Sequence, residues 1–191
     1  MTKNFNTYIE HIDVDAWREV CVNKGSLRHF AKGEEFVSIG EVGRYFGFIQ
    51  SGTLKYVARS ADGTEYVMGL VFGNGFVGDW RHFSHNQNAT VAIVATSDCD
   101  IYCITSKELK AMMSSDPYFK DMVMHATEAV YGTVYDRYVD LYVKTPQQRY
   151  EDLINRHPDL FDLFSLKDIA SFLKITPTHL SRLRKNNGNQ C

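Results

Sequence analysis

The chain has 191 residues, of which 44% are hydrophobic and 23% are charged. This composition is that of a globular protein and excludes a disordered one, and the length suffices for one large core and a small second domain. The formal charge of −2 is divided unevenly: residues 1–143 hold 13 Lys and Arg against 18 Asp and Glu, whereas residues 144–191 hold 8 against 5. Basic charge is therefore concentrated in the C-terminal part, as in proteins with a local nucleic-acid-binding segment.

No apolar run approaches the roughly 20 residues that a membrane-spanning helix needs. The first residues, MTKNFNTYIEHID, show no signal-peptide pattern. We therefore expect a cytoplasmic protein that has no membrane partner.

The four cysteines, Cys21, Cys99, Cys103 and Cys191, raise the question of a metal site. Cys99 and Cys103 lie in the predicted strand SDCDIYCIT, where a rise of about 3.3 Å per residue separates them by about 13 Å. That distance is too long for two ligands of one ion, and Cys21 stands alone near the N-terminus. The pattern favours scattered reduced thiols and predicts neither a metal ion nor an iron–sulfur cluster.

Two patterns follow one another from the N-terminus. Residues 6–30 carry apolar side chains at helical spacing, namely Tyr8, Ile9, Ile12, Trp17, Val20 and Cys21. From Leu27 to about Ile104, short apolar stretches are interrupted by ten glycines. Short strands separated by glycine turns are typical of an antiparallel barrel or roll.

The segment FGFIQSGTLKYVARSADGTEYVMGLVFGNGFVGDW is the most informative part of this region. Phe48-Ile49 and residues 54–57 flank Ser51-Gly52, which predicts one hairpin. A second turn at Ala61-Asp62-Gly63 leads into a strand at residues 66–68.

Phe76-Val77-Gly78-Asp79 follows these strands. Strand, turn and strand followed by Phe-x-Gly-acid resembles the β-roll of cyclic-nucleotide-binding domains. In that family, backbone N–H groups and a helix N-terminus hold the cyclic phosphate, an arginine neutralises it, and the acid binds the ribose. The resemblance implies an effector pocket that includes Gly78 and Asp79.

The arginine position of the family falls on Ala89 in this sequence, and the next hydroxyl residue is Thr90. Without a guanidinium, a cyclic phosphate would lose a charge-assisted pair of about 1.5–3 kcal/mol. We therefore expect an unknown small-molecule effector other than cAMP, in a pocket that includes both residues. His82 and His85 are interpreted as surface residues because no carboxylate or thiol partner is predicted near them, and a metal or haem role is the alternative.

The sequence predicts a short helix from Ser106 to Ser115 and a long helix from Pro117 to Thr145-Pro146, where another helix begins. Apolar residues step along the long helix by three and four, and this first stripe consists of Phe119, Val123, Ala126, Val130, Val134, Tyr138 and Leu141. A second stripe consists of Tyr118, Met122, Tyr135, Val139 and Tyr142. Two stripes need two covering surfaces, so we expect one surface to be the roll and the other a second copy of the chain, with the first stripe as the dimer interface. A single wide core-facing stripe is the alternative.

Residues 165–185 predict a helix-turn-helix. Ser165 is an N-cap residue with Asp168 three positions later, and Thr176 caps a second helix that has Pro177 at its first position. Leucines 180 and 183 face inward by their spacing. The opposite face is polar and basic and carries Thr178, Ser181, Arg182 and Lys185. An ordinary pair of antiparallel helices is the alternative.

This segment resembles the helix-turn-helix of the Crp/Fnr family of bacterial transcription regulators, and together with the roll and the long helix the resemblance covers most of the chain. In that family the long helix forms the dimer and its middle contacts the effector, which implies Val134 and Tyr135 as pocket residues. The family has paired hydroxyls there, so this valine and tyrosine also argue against cAMP. Only six residues follow Lys185, so we expect no β-hairpin wing after the recognition helix, either because this branch of the family lacks it or because the chain is truncated.

The resemblance places the family's base-reading Arg-Glu pair on Pro177-Thr178 and its second base-reading arginine on Arg182. Arg182 is therefore expected to be the main guanine contact, with Thr178 and His179 as secondary base contacts. Lys174 occupies a turn position where glycine is usual, because the turn is left-handed. The residues expected at DNA, including those that hold phosphates, are Lys174, Thr176, Thr178, His179, Ser181, Arg182, Arg184 and Lys185.

The sequence thus predicts an α+β protein with an effector β-roll over residues 1–115, a dimerisation helix over 116–144 and a helix-turn-helix domain over 145–191. The resemblance implies a homodimeric transcription regulator whose partners are double-stranded DNA and RNA polymerase. The alternative is a dimeric effector-sensing scaffold whose helix-turn-helix contacts only proteins. No nucleophile–base pair, metal triad or phosphate-binding loop is present in the sequence, so we do not expect an enzyme.

Overall fold

The computed structural model describes residues 6–188 and shows an α+β chain with an antiparallel β-roll, a long helix and a C-terminal group of helices. The N-terminal segment is helical over Thr7–His11, a 3-10 helix, and over Val14–Lys24, helix α1. Gly25 follows α1, and the chain then enters strand β1, Ser26–Phe30. The prediction of a helical segment extending to residue 30 is therefore wrong for its last five residues, because pairing with another strand overrides their local spacing.

The roll is built from two four-stranded antiparallel sheets. The strands after β1 are β2 (Glu35–Val37), β3 (Tyr45–Ser51), β4 (Leu54–Arg59), β5 (Glu65–Val71), β6 (Phe76–Val77), β7 (Ala92–Ala95) and β8 (Cys99–Thr105). One sheet has the order β1-β8-β3-β6 and the other the order β2-β7-β4-β5. Inward-facing residues such as Ile49, Leu54 and Ile101 are fully buried between the sheets, and each contributes about 1.5–3 kcal/mol by burial.

The predicted hairpin at Ser51-Gly52 is wrong, because β3 and β4 belong to different sheets. Gly52 makes the crossing at a φ of +93°, and a Cβ there would lie 2.4 Å from the Asp98 carbonyl oxygen. The turn at residues 61–63 does form a hairpin, since β4 pairs with β5 along its length.

Several helices begin at a residue whose side chain caps the first turn. Helix α2 spans Trp80–His85, α3 spans Ser106–Ser115 and α4 spans Pro117–Val143. The bounds of α3 and the start of α4 are as predicted. Asp116 caps α4 by accepting hydrogen bonds from the next two N–H groups after Pro117.

Four short helices complete the described part of the chain: α5 (Pro146–Arg156), α6 (Leu160–Leu163), α7 (Leu166–Phe172) and α8 (Pro177–Gly188). Ser165 and Thr176 cap α7 and α8 as predicted, accepting from the Asp168 and His179 N–H groups at 3.1 and 3.2 Å. Each such cap stabilises its helix by about 1 kcal/mol.

The core of the C-terminal helices includes residues of the roll. Val67, Leu70 and Phe72 are buried in the same cluster as the leucines of α7 and α8. Two polar contacts join the same surfaces: Lys55 Nζ lies 2.6 Å from Asp168 Oδ1, and Ser171 Oγ accepts from the Val67 N–H at 2.9 Å. The C-terminal helices are therefore docked on β4 and β5.

Candidate effector and nucleic-acid sites

The acid of the predicted effector pocket lies at the junction of β6 and α2. Asp79 precedes α2, and its Oδ2 atom lies 2.7 Å from His82 Nδ1. These side chains are only 8% and 7% exposed, respectively. The prediction that His82 is a surface residue is wrong, because the histidine is the buried partner of this carboxylate, whereas His85 is exposed. The acid is thus already bound within the chain.

The backbone of Gly78 also has a partner within the roll. The Tyr56 hydroxyl donates to the Gly78 carbonyl oxygen at 2.9 Å and accepts from the Gly78 N–H at 3.3 Å. Burial raises the pKa of Tyr56, so the phenol stays protonated and can donate. A side chain of β4 therefore occupies the backbone groups that a ligand at Gly78 would use.

Ala89 and Thr90 lie on opposite sides of the chain leading into β7. Ala89 is 3% exposed and belongs to the apolar core of the roll, whereas Thr90 is exposed. The Ala89 N–H donates to the Glu41 carbonyl oxygen at 2.8 Å, and its own carbonyl accepts from the Gly40 N–H at 2.9 Å. An apolar methyl group, with its backbone fully bonded, stands where the family has its phosphate-binding cation.

The first stripe of α4 is divided between two environments. Phe119 and Val123 are 5% and 3% exposed and pack in a cluster with Trp17 of α1 and Phe76 of β6. Their assignment to the dimer interface is therefore wrong, because the chain's own roll covers them. Ala126 is partly buried against the same cluster.

The C-terminal half of α4 presents apolar and aromatic side chains to solvent. Exposed there are Val130, Tyr131, Val134, Tyr135, Tyr138, Leu141, Tyr142 and Val143. The inner face of this half is covered by the N-terminal segment, where Thr7 Oγ1 and Thr133 Oγ1 are 2.9 Å apart. One face of the helix end is thus closed by the chain itself, and the other is an apolar surface that no described residue of the protomer covers.

The two helices α7 and α8 form a compact unit. Ala170 and Leu180 are fully buried in this unit, and Leu183 is 6% exposed. Lys174 in the intervening turn has a φ of +55°, the left-handed conformation expected at this position. Arg149 of α5 supports the turn, since its Nη2 donates to the Leu173 carbonyl oxygen at 3.0 Å.

The residues predicted at DNA lie mostly on the outer face of this unit. Exposed side chains are Lys174, Thr176, Thr178, His179, Arg182, Arg184 and Lys185. Ser181 is partly buried, and its hydroxyl donates to the Pro177 carbonyl oxygen at 3.0 Å. The Arg184 guanidinium lies 4.0 Å from the centre of the Phe161 ring, so this arginine also has a contact within its own domain.

The cysteines and histidines that the structure describes do not suggest a metal site. Within residues 6–188, no group of three or more His, Cys, Asp or Glu side chains is arranged to hold an ion. Cys21, Cys99 and Cys103 are buried free thiols, and burial raises the pKa of Cys21 and Cys103 to about 12. Cys191 lies outside the described residues. None of the described helices is both long and apolar enough to cross a membrane.

Comparison with known proteins identifies the fold. Residues 27–116 match the cyclic nucleotide-binding domain family. FixK2 from Bradyrhizobium japonicum superimposes with a TM-score of 0.76 at 15% identity, over 87% of this chain and 85% of that chain. The chain has the Crp/Fnr fold. A search of curated protein sequences finds no significant match to it.

Two further structures of regulators are similar to this chain over most of its length. The global regulator CLP from Xanthomonas campestris, described as responsive to c-di-GMP, gives a TM-score of 0.68 at 15% identity over 93% of each chain. A protein from Eubacterium rectale assigned to the Crp/Fnr family of transcriptional regulators gives 0.67 at 14% identity, over 92% of this chain and 83% of that chain. At such identities the likeness establishes the fold, while side-chain roles depend on the geometry described above.

The structure of this Crp/Fnr-fold protein also shows site residues that the sequence analysis missed. Tyr56 shares the inward face of β4 with Leu54. The alternation of inward and outward side chains along a strand could have indicated this, although a register shift between Tyr56 and Val57 interrupts the alternation. Lys55 and Asp168 are 113 positions apart, and no local pattern indicates their pairing.

Proposed function

We propose that this protein is a homodimeric, DNA-binding transcription regulator of the Crp/Fnr type whose effector is not cAMP. The observation that carries the proposal is the outer face of α8, where Thr178, His179, Arg182 and Lys185 are exposed on a helix whose opposite face is buried. A short helix with a polar and basic outer face suits the major groove. Arg182 would read guanine, while Lys174 and Lys185 would contact phosphates.

Dimer formation would use the C-terminal half of α4. Val130, Val134 and Tyr138 are 42%, 56% and 57% exposed, although they continue a stripe whose first members are buried. A parallel pair of such helices covers this surface on both copies by two-fold symmetry. The dimer in turn would place two recognition helices on half-sites about one turn of DNA apart.

The roll interior supports an effector other than cAMP. The Gly78 backbone, the Asp79 carboxylate and the position of Ala89 are occupied by internal partners or apolar packing. A cyclic nucleotide would have to displace Tyr56 and His82 and would gain no cation for its phosphate. RNA polymerase is the partner through which a regulator of this type would act.

A duplex-binding titration at two salt concentrations tests the DNA-binding role. A regulator loses affinity steeply with salt, because phosphate contacts release counterions, whereas the scaffold alternative predicts almost no binding at either concentration.

Arg182→Ala should cost roughly 1–3 kcal/mol of duplex-binding free energy and relax preference at one base pair. Lys185→Ala should weaken all duplexes alike and reduce the salt slope by about one. The control is Lys120→Ala, which removes an exposed lysine of α4 and should leave duplex affinity unchanged.

Sedimentation tests the dimer. Val134→Glu should convert dimer to monomer, because a charge would be buried at the two-fold interface without a partner. His125→Glu adds a negative charge at an exposed position on the opposite face of α4, since nine residues turn the helix by about 180°, and should leave the dimer intact. A Val134→Glu protein that remains dimeric would exclude this interface.

A further inference from the structure

An exposed apolar surface of the roll lies beside the C-terminal half of α4. Tyr66 and Met68 of β5 are 48% and 59% exposed, while Val67 between them is buried. Both exposed side chains line a cavity of about 1000 Å³ between the roll, α4 and the C-terminal helices, and the same cavity is lined by Val134 and Leu141 of the first stripe. The surface of β5 therefore continues into the stripe that we assign to the dimer.

Three further tyrosines lie on the side of α4 that faces away from this cavity. Tyr131, Tyr135 and Tyr142 are 68%, 53% and 73% exposed, and the cavity lining does not include them. At about 100° per residue, they lie roughly 60–100° around the helix from Val134. The rings of Tyr131 and Tyr135 stack with centres 6.1 Å apart. We call these three residues the tyrosine flank.

The protomer's own roll covers the opposite side of the helix. Thr133 and Arg137 lie about 100° and 60° from Val134 in the other direction, and both line the cavity. Thr133 Oγ1 is 2.9 Å from Thr7 Oγ1, and Arg137 Nη2 donates to Asn6 Oδ1 at 2.7 Å. Val134 thus marks a boundary, with the roll on one side of it and the tyrosine flank on the other.

Two-fold symmetry decides what the tyrosine flank meets in a dimer. In a parallel pair of α4 helices the axis runs along the helices, and a rotation of 180° exchanges the two sides of the contact. The flank of one copy points away from its own roll, so the rotation places it beside the side of the partner helix that faces the partner's roll. At the height of Val134 and Leu141, the exposed apolar residues on that side are Tyr66 and Met68.

The area of the first stripe also indicates a larger interface. Its four exposed members range from 36% exposure at Leu141 to 57% at Tyr138, so together they can bury only a few hundred Å² on each copy. A stable dimer buries about 800 Å² per partner. The tyrosine flank and the two residues of β5 add five large side chains, and tyrosine and methionine are enriched in interface cores.

We propose that the tyrosine flank of each copy packs on Tyr66 and Met68 of the partner subunit. Two helix-to-roll contacts would then close the dimer in addition to the α4 pair. This inference rests on the α4 dimer of the proposed function and extends it. Each roll would hold the other copy's helix, so that a change at β5 of one copy would be passed to the dimer helix of its partner.

A short thiol-specific bis-maleimide tests this contact in the full chain. All variants carry Cys191→Ser, because the other three cysteines are buried. Met68→Cys and Tyr135→Cys proteins, one of them with a size tag, are mixed in equal amounts and equilibrated before the reagent is added. We expect a covalent dimer of the two different chains. Lys110→Cys, at an exposed position of α3, should give no such product with Tyr135→Cys.

Val134→Cys separates this inference from the dimer on which it rests. It should cross-link to itself, because the first stripe pairs with its own copy across the two-fold axis. Self-linking by Val134→Cys without the mixed product of Met68→Cys and Tyr135→Cys would leave the α4 dimer standing and overturn the contact with β5. No product in either experiment would overturn both.

Sedimentation equilibrium supplies a second test. Met68→Ala and Tyr135→Ala should each raise the dimer dissociation constant about tenfold, since each removes two contacts per dimer. The double variant should raise it by less than the product of the single effects, because the two residues touch only across the dimer. Leu27→Ala, which shortens an exposed side chain of β1, should leave the constant unchanged. Single effects that multiply in the double variant would refute the pairing.

Discussion

The roll interior and the region between the roll and the C-terminal helices differ in how their buried polar groups are bonded. In the roll interior, Tyr56 binds both backbone groups of Gly78, and His82 binds Asp79. Between the roll and the C-terminal helices, Arg149 Nε and Arg156 Nη1 are buried without a hydrogen-bond partner among the described residues. A buried polar group with an internal partner gains little from a ligand, whereas one without a partner gains the whole interaction. Retention of a binding fold therefore does not by itself locate the binding site.

The largest effect is expected from disrupting the buried pair of Asp79 and His82 in the roll. His82→Leu should lower the free energy of unfolding by about 3 kcal/mol near neutral pH, because it leaves the Asp79 carboxylate buried without its partner. Chemical denaturation measures the loss. The double variant Asp79→Leu, His82→Leu should recover much of it, and a double variant less stable than the sum of the singles would contradict the pairing.

The next effect concerns Tyr56. Tyr56→Ala should destabilise the roll by about 2–4 kcal/mol, since it leaves a cavity and two unpaired backbone groups at Gly78. Tyr56→Phe keeps the ring and should cost only about 1–2 kcal/mol. Calorimetry should still show no micromolar cAMP binding to Tyr56→Phe, because Ala89 supplies no cation. Micromolar binding by this variant would mean that the tyrosine hydroxyl alone excludes the nucleotide.

A smaller effect is expected at the contact that joins the two regions. Lys55 and Asp168 are 18% and 14% exposed, so Lys55→Met should cost about 1–2 kcal/mol of docking free energy. Hydrogen exchange of α7 and proteolysis near residue 145 should both accelerate. The exposed Lys110 provides the matched control, Lys110→Met. Unchanged exchange in Lys55→Met would show that the apolar contacts of Val67, Leu70 and Phe72 suffice for docking.

The smallest effect is a pH dependence at the same junction. The His157 ring stacks on Phe72 with centres 3.8 Å apart, and burial lowers the pKa of His157 below its ordinary value. The neutral ring therefore contributes stability that is present above about pH 6.5 and is lost as the pH falls through the lowered folded-state pKa. Denaturation at pH 7.5 and 5.5 should show this loss in the natural chain and less of it in His157→Phe. An equal loss in both would assign the dependence to other groups.

Local signals in the sequence predicted those parts of the structure that local interactions determine. Pro117, Ser165 and Thr176 mark helix starts because caps and proline act within one turn of the helix. The partners of strands and stripes were not predictable in this way. Gly52 indicated a turn without showing that the chain changes sheets there, and the same apolar spacing continues from Phe119, which is buried, to Val134, which is exposed.

The candidate sites show the same difference between features set by local spacing and features set by distant partners. The exposed face of α8 could be predicted because helical spacing separates it from Leu180 and Leu183. The pairing of His82 with Asp79 was accessible in principle, since residues three apart meet on a helix, but burial of the pair depends on the surrounding roll. The cavity between the roll and the C-terminal helices is lined by the 3-10 helix, β4, β5, α4, α5 and α7, and no spacing in the sequence brings these elements together.

The shared core of the C-terminal helices and the roll has a consequence for protein engineering. A fragment cut at the hinge before Pro146 would leave behind Val67, Leu70 and Phe72, which complete the core of α7 and α8. Such a fragment would expose apolar surface and would be prone to aggregate. A chimaera that exchanges the recognition helices with those of another regulator would therefore need to carry β5 and the Phe72 loop as part of the transplanted unit.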